Sequence, residues 1–215
     1  MPNERERTRP PELVLATRNP HKVREMSELL ADSGITVLSA DDFPDLPEVV
    51  EDGATLEENA VKKAATVAAA TGLPALADDT GLEVDALEGA PGVLSARYAG
   101  PCATYADNNR KLLGALAGVP PSGRRARFRC VVALAVPGAA VRTVEGRTDG
   151  VILEAPRGEA GFGYDPIFRP DGSARTYAEM DAAAKNAVSH RGKAVRAAIR
   201  LVRGALTGGR TASRR

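Results

Sequence analysis

The chain of 215 residues has no tryptophan, only 4% aromatic residues, and two cysteines. Cys102 and Cys130 lie far apart and form no Cys-x-x-Cys motif, which argues against a disulfide framework and against a structural zinc site. The longest apolar run, 131–141, is interrupted by Pro137 and Gly138 and is much shorter than the roughly 20 residues of a membrane-spanning helix. We therefore expect neither a disulfide scaffold, a zinc domain nor a membrane protein.

Positive and negative charges are nearly balanced, with 29 Lys and Arg residues against 28 Asp and Glu residues. A net charge of +1 argues against general binding to nucleic acid or to a membrane surface, so we expect no stable partner of either kind. The polar, basic ends at 1–11 and 207–215 lack apolar periodicity and are predicted to be flexible tails around a single domain at 12–206. The absence of a signal-peptide pattern predicts a cytoplasmic protein.

Short apolar runs alternate with segments of helical periodicity along the chain. The predicted strands are 12–16, 35–39, 73–77, 82–86, 126–136 and 141–152, and the predicted helices are 21–33, 55–71, 105–116 and 189–206. The last two strands flank Pro137 and Gly138 and predict a long antiparallel hairpin. We interpret 185–188 as an irregular link. The pattern predicts an α/β fold with a mixed sheet and two lobes.

A phosphate-binding segment is predicted at 17–22, where a strand gives way to a helix. Thr17, Asn19 and Lys22 bring hydroxyl, amide and ammonium donors beside free backbone N–H groups at the positive end of that helix, which suits phosphate. The same residues also fit a plain helix start, with an Asn or Thr N-cap, Pro20 in the first turn and a solvated lysine. The sequence has neither a Walker-type phosphate loop nor a dinucleotide-binding glycine motif.

Two adjacent carboxylates follow the predicted strand at 73–77. Asp78 and Asp79 would emerge at its carboxyl end, the usual position of sites in α/β folds, and Glu51 would complete a set of oxygen ligands for Mg²⁺. The alternative is a turn that merely ends the strand, with Glu51 as a solvated loop acid. If the strand persists instead, Asp78 and Asp79 point to opposite sides, and only one of them faces a cleft.

An aromatic ring in a glycine-rich turn predicts a stacking site for a planar ligand. Phe162 lies between Gly161 and Gly163, where it is poorly placed to fill a core. Asp165 is also interpreted as functional, whereas Phe168 is expected to pack in the core.

Basic donors gather near the start of the last predicted helix. Lys185, His190 and Arg191 are suited to bind anionic or carbonyl oxygens. The alternative is a helix cap with exposed basic residues. Arg97 is likewise either an exposed cation or a second phosphate contact.

In this order and spacing, six segments closely resemble the inosine/xanthosine triphosphate pyrophosphatase family. They are Thr17-x-Asn19-x-x-Lys22; Glu51-x-Gly53-x-Thr55 with Glu58-Asn59-Ala60; Ala77-Asp78-Asp79-Thr80-Gly81-Leu82; Gly89-Ala90-Pro91-Gly92 with Ser95-Ala96-Arg97-Tyr98; Gly161-Phe162-Gly163-Tyr164-Asp165-Pro166; and Ser189-His190-Arg191-Gly192. The resemblance covers about 13–203. Arg18 and His21 place large side chains at positions that vary in the family, and Thr80 stands where many members have serine.

The resemblance implies an Mg²⁺-dependent enzyme that cuts deaminated purine nucleoside triphosphates (ITP, dITP, XTP) to the monophosphate and pyrophosphate, and so keeps non-standard purines out of nucleic acids. It also implies two lobes around a central cleft, and a homodimer. By matching position, Asp79 is implied as the catalytic acid–base residue and as a metal ligand, with Glu51 and Asp78 as further ligands. The residues implied to bind the nucleotide are Thr17, Arg18, Asn19, Pro20, His21, Lys22, Thr80, Phe162, Gly163, Tyr164, Asp165, Lys185, His190 and Arg191.

Two other functions share parts of this pattern. A nucleotide pyrophosphatase for other bases, such as modified pyrimidines, would keep the phosphate and metal residues and differ in the contacts that His190 and Phe162 make. A non-catalytic module that binds nucleotides or RNA would keep the cleft and lose the carboxylates. Asp78, Asp79 and Glu51 are all present, which favours the enzyme.

Overall fold

The computed structural model describes residues 10–208 and shows a mixed α/β fold around one seven-stranded sheet. Its strands and helices are, in chain order, β1 Glu12–Leu15, α1 Pro20–Leu30, β2 Thr36–Ser39, α2 Leu56–Thr71, β3 Ala75–Val84, β4 Pro91–Gly92, α3 Tyr105–Ala115, β5 Arg125–Ala135, β6 Arg142–Ile152, β7 Phe168–Pro170, α4 Ala182–Val188 and α5 His190–Gly208. Most of the predicted tails, at 1–9 and 209–215, lies outside the described residues.

Parallel and antiparallel pairings both occur in the sheet, whose order is β2-β1-β3-β5-β6-β7 with β4 beside β3. Strand β1 pairs in parallel with β2 and β3, whereas β3–β5, β5–β6 and β6–β7 are antiparallel. The pairing of β5 with β6 runs from Arg125 opposite Val151 to Leu134 opposite Arg142. The predicted long hairpin and the mixed sheet are therefore confirmed.

The prediction that a strand ends at Asp78 is wrong, because β3 continues through Asp78 and Asp79 to Val84. Strand β1 stops beside Leu76, but β5 pairs with β3 along its whole length and satisfies the backbone of the Asp-Asp-Thr-Gly stretch. The two carboxylates thus lie in the middle of a strand, just beyond the end of its parallel neighbour.

Helices cover both faces of the sheet where the start of β3 pairs with the end of β5. One apolar cluster packs α2 against Ala75, Ala77 and Val131, and another packs α1 and α5 against Leu76 and Val132. Since successive side chains of a strand point to opposite faces, Asp78 belongs to the side of α1 and α5 and Asp79 to the side of α2.

A third apolar cluster forms the second lobe. It packs α3 and β7 against the end of β3, the start of β5 and the end of β6. Among residues 10–208, no helix combines the length and the apolar character that crossing a membrane requires.

The irregular link predicted at 185–188 is instead the end of a short helix, α4. Asp181 caps it, with a side-chain oxygen 2.7 Å from the backbone N of Ala184. Ser189 separates α4 from α5, and its Oγ accepts the N–H of Gly192 at 3.0 Å. This close succession of two helices places Lys185, His190 and Arg191 on the same wall of the molecule.

Candidate active site

A cleft of about 400 Å³ opens between the two lobes. Its lining includes most of the residues that the sequence singled out: Thr17, Arg18, Asn19, Lys22, Glu51, Asp79, Thr80, Phe162, Gly163, Tyr164, Asp165, Lys185, His190 and Arg191. Three others, Pro20, His21 and Asp78, lie outside the lining.

The segment 17–22 contains the capped start of helix α1. The Asn19 Oδ1 accepts the backbone N–H groups of His21 at 3.0 Å and Lys22 at 3.4 Å, and Pro20 occupies the first turn. The backbone N–H groups of His21 and Lys22 are therefore already paired, and the side-chain donors of the segment remain for a phosphate. The alternative prediction of a solvated lysine is wrong for Lys22, because its side chain is only 16% exposed.

Asp78 is a buried anchor for two cations. Its Oδ2 lies 3.1 Å from Lys22 Nζ and 3.0 Å from Arg191 Nη2. Burial by itself raises the pKa of Asp78, but the charges of Lys22 and Arg191 outweigh that effect and hold the pKa far below its ordinary value. Asp78 is therefore a fixed anion that holds Lys22 and Arg191 in place.

Asp79 faces the cleft and shares an ammonium group with Glu51. Lys63 Nζ lies 2.6 Å from Glu51 Oε1 and 3.0 Å from Asp79 Oδ1, and Asn59 Nδ2 donates to Asp79 Oδ2 at 3.3 Å. Burial raises the pKa of Asp79 above its ordinary value, the charge of Glu51 adds to this, and the charges of Lys63 and Lys22 offset it only in part. Asp79 is therefore a stronger base than an exposed aspartate.

Sequence reasoning missed Lys63 and treated Asn59 only as part of a motif. Both side chains lie on the buried face of α2, among Leu56, Ala60 and Val67. A lysine and an asparagine on the apolar face of an amphipathic helix are the features that would have identified them, since such groups are buried only when they have partners.

The three carboxylates predicted as Mg²⁺ ligands are not brought together. Within residues 10–208, no group of three or more His, Cys, Asp or Glu side chains is placed to hold a metal ion. Asp78 has no exposed side-chain surface and belongs to the opposite face of β3. Glu51 and Asp79 do fit Mg²⁺, because this ion is usually bound by one or two carboxylates together with substrate phosphates, and because both already converge on a cation.

The loop at 161–165 carries two aromatic rings that line the cleft, Phe162 and Tyr164, and Phe168 follows in β7. Phe162 is half-buried, whereas Tyr164 and Phe168 are buried, as expected for Phe168. Asp165 accepts the backbone N–H of Phe162 at 2.8 Å and binds Lys185 Nζ at 2.5 Å.

Glu25 connects two cations that line the cleft, and sequence reasoning missed it. Its two oxygens each lie 2.6 Å from a partner, Lys185 Nζ and Arg191 Nη1. Charged groups thus alternate from Asp165 through Lys185, Glu25 and Arg191 to Asp78. The feature that would have identified Glu25 is its position three residues after Lys22, on the same side of α1.

His190 is buried and uncharged. Its ring stacks on Phe128 with the centroids 4.4 Å apart, and burial together with the nearby charges of Arg191 and Lys185 keeps its pKa well below the ordinary value. Its Nδ1 has no hydrogen-bond partner among the residues that the structure describes. His190 and Arg191 both line the cleft and form part of one of its walls.

Arg97 is partly buried and not a freely exposed cation, and its phosphate contact stays a prediction. Its Nη2 donates to the backbone oxygen of Glu51 at 2.9 Å. Arg97 therefore holds the segment that carries Glu51.

Two curated relatives illustrate the similarity of most of the chain to known proteins. The dITP/XTP pyrophosphatase of Geobacter sulfurreducens is 56% identical over 183 residues, which cover 85% of this chain and 92% of the relative. The dITP/XTP pyrophosphatase of Streptomyces coelicolor is 50% identical over 193 residues, which cover 89% of this chain and 96% of the relative.

Solved structures and a family profile agree with these relatives. A HAM1 protein from Coxiella burnetii superposes with a TM-score of 0.81 at 46% identity, covering 89% of this chain and 98% of the other. The nucleoside-triphosphatase / dITP/XTP pyrophosphatase of Mycobacterium abscessus gives a TM-score of 0.70 at 46% identity, covering 86% of this chain and 96% of the other. The predicted fold class is thereby confirmed. The profile of the Ham1 family matches residues 13–201, and this chain belongs to the Ham1 family.

Proposed function

We propose that this protein is a dITP/XTP pyrophosphatase, which hydrolyses deaminated purine nucleoside triphosphates to the monophosphate and pyrophosphate. The observation that carries the proposal is the position of Asp79, a buried carboxylate of raised pKa that lines the cleft beside Lys63. The names of relatives about half identical in sequence support the same activity. We expect it to act in the cytoplasm, as a homodimer, and to keep non-standard purines out of nucleic acids.

The triphosphate binds at the end of the cleft formed by 17–22. Lys22 and Arg18 supply positive charge there, and Thr17 supplies a hydroxyl group. Because Asp78 fixes Lys22 from the buried side, the ammonium group is already oriented when the substrate arrives.

Asp79 acts as the general base. It takes a proton from a water molecule whose oxygen forms a bond to the α-phosphorus, while the bond from that phosphorus to the α–β bridging oxygen breaks and pyrophosphate leaves. Mg²⁺, held by Glu51 and Asp79, would supply positive charge that neutralises the polyphosphate and the leaving group. Lys63 keeps Asp79 and Glu51 together and reduces their mutual repulsion.

The base binds between the Phe162 loop and the wall of His190 and Arg191. Donors on this wall pair with the 6-keto oxygen of hypoxanthine or xanthine, and the 6-amino group of adenine would leave them buried and unpaired. This mismatch is the physical reason for selectivity against adenine nucleotides.

The products of dITP hydrolysis test the proposal. With Mg²⁺, we expect dIMP and pyrophosphate in equal amounts, and with EDTA we expect no turnover. Release of dIDP and orthophosphate would place the attack at the γ-phosphorus and would contradict the proposed reaction. Full turnover in EDTA would contradict the metal requirement.

A further inference from the structure

The Phe162 ring stands at the cleft between two glycines that adopt the left-handed backbone conformation. Gly161 and Gly163, on either side of it, have φ of +75° and +64°. Asp165 holds the backbone N–H of Phe162, but a bond to the main chain does not fix the direction of the side chain. The direction of this ring therefore depends on its side-chain neighbours.

One of these neighbours is an imidazole that covers the ring. His21, in the first turn of α1, stacks on Phe162 with the centroids 5.0 Å apart and the planes inclined by 14°. Phe162 lines the cleft and His21 does not, so the imidazole supports the ring from outside the cleft. His21 is itself exposed, and this stack is not part of an apolar core.

Tyr105, at the start of α3, packs against both rings. Its centroid lies 5.9 Å from that of Phe162 and 6.1 Å from that of His21. Its hydroxyl oxygen accepts a hydrogen bond from Asn19 Nδ2 at 3.3 Å. We call His21, Tyr105 and Phe162 the aromatic corner; it joins the phosphate-binding segment to α3 and to the 161–165 loop.

We propose that His21 and Tyr105 are positioning residues for the nucleobase, because they hold the Phe162 ring in the direction in which it stacks on a purine. This inference rests on the proposed function, which supplies the purine. The aromatic corner also sets the distance between the phosphate donors beside Asn19 and the ring that receives the base. A loss of His21 therefore weakens binding of the base while leaving the phosphate contacts in place, whereas a loss of Tyr105 also removes the hydrogen bond from Asn19.

Steady-state kinetics of His21→Ala with dITP test the proposal. An aromatic pair changes an equilibrium by a factor of roughly 2 to 10, so we expect KM to rise by about that factor with kcat nearly unchanged. Inhibition by inorganic tripolyphosphate, which has no base, should keep its wild-type Ki. Phenylalanine stacks as imidazole does, so His21→Phe should restore KM.

Matched variants separate the two positioning residues from general effects. Tyr105→Phe keeps the ring and loses only the hydroxyl contact with Asn19, so its KM should lie between those of the wild type and Tyr105→Ala. Arg24→Ala changes an exposed residue of α1, the helix of His21, and should match the wild type.

A wild-type KM in His21→Ala would overturn the proposal. A Ki for tripolyphosphate that rises as much as KM, or a failure of His21→Phe to restore KM, would overturn it too.

A spectroscopic measurement tests the stack without turnover. The chain has two histidines, so the imidazole Cε1–H region of an NMR spectrum contains two signals, which His21→Ala assigns. Phe162→Leu removes the ring current of Phe162 and should shift the His21 signal downfield. A wild-type protein that releases no pyrophosphate from dITP refutes the proposed function, whereas a His21 signal that Phe162→Leu leaves unmoved refutes the stack itself.

Discussion

Lys63 Nζ lies 3.0 Å from Asp79 Oδ1, and both side chains are 9% exposed. The same ammonium group binds Glu51 at 2.6 Å. Burial favours the uncharged form of Lys63, but the charges of Asp79, Asp78 and Glu51 prevail and raise its pKa. Lys63 therefore stays positively charged in the cleft, between Glu51 and the proposed general base Asp79.

Replacing Lys63 by methionine removes that charge and keeps most of the side-chain volume. Removing one partner of a buried ion pair costs about 3 kcal/mol or more, because it leaves the other charge uncompensated. We expect Lys63→Met to lower the free energy of unfolding by about this amount in urea titration and to lower kcat/KM.

Lys62 provides the matched control. It is the neighbouring lysine of α2, it pairs with Asp52 at 2.6 Å, and its side chain is 43% exposed. Exposed pairs contribute only about 0 to 1 kcal/mol, so Lys62→Met should change little. Equal effects of the two substitutions would show that the buried position of Lys63 is unimportant.

Asp79→Asn should abolish most of the turnover and keep the nucleotide bound. A positioned general base contributes roughly 10²- to 10⁴-fold to a rate, and asparagine cannot accept the proton. Steady-state kinetics measure the loss, and calorimetric titration with dITP measures the binding. Wild-type turnover in this variant would remove Asp79 from the mechanism.

Glu25→Gln should destabilise the fold, because Lys185 and Arg191 would lose the anion between them. Burial raises the pKa of Glu25, but these two cations outweigh it and bring the pKa below its ordinary value. We expect a loss of about 3 kcal/mol in the free energy of unfolding.

Glu28→Gln is the control for Glu25→Gln. Glu28 also lies on α1 and contacts α4, through Asn186 Nδ2 at 3.0 Å, but the contact is exposed. Its substitution should change the free energy of unfolding by less than about 0.5 kcal/mol. If both variants unfold at the same urea concentration, the link through Glu25 contributes nothing.

The buried His190 predicts a stability that depends on pH. Since the pKa of His190 is lowered in the folded state, the unfolded chain binds a proton that the folded chain does not, and stability falls as the pH drops below about 6.5. The slope from this residue is about 1.4 kcal/mol per pH unit. His190→Phe keeps a ring beside Phe128 and should remove this slope.

Urea unfolding between pH 5 and 7 measures that slope. Carboxylates of lowered pKa, such as Asp78, contribute mainly below about pH 5, so their effect is separate. A slope that His190→Phe leaves unchanged would mean that His190 is already protonated in the folded protein.

Much of the fold could be predicted from local patterns. The hairpin of β5 and β6 was predictable because Pro137 and Gly138 interrupt two long β-prone runs. The continuation of β3 was not, because Asp78 to Gly81 is turn-like in sequence and becomes a strand only through its pairing with β5. Tertiary pairing overrode local preference at the point where the site is built.

The candidate site, like the fold, could be predicted only in part. Resemblance gave residues that do line the cleft, such as Lys22, Asp79 and Phe162. The grouping of Asp78 with Glu51 and Asp79 was wrong, because a strand through both aspartates sends them to opposite faces. Lys63 was missed, because a lysine in a helix is ordinarily solvated; its place on the apolar face of α2, beside Ala60 and Val67, was the signal of its burial.

The most direct test of the account is the rate of pyrophosphate release from dITP and XTP compared with that from dATP and dGTP, with Mg²⁺ and the purified full-length protein. We predict that kcat/KM for dITP and XTP exceeds that for dATP by at least tenfold, because adenine leaves buried donors unpaired. Equal values for dITP and dATP would contradict the proposed contacts of the base with His190 and Arg191, and no release from any of the four would contradict the proposed activity.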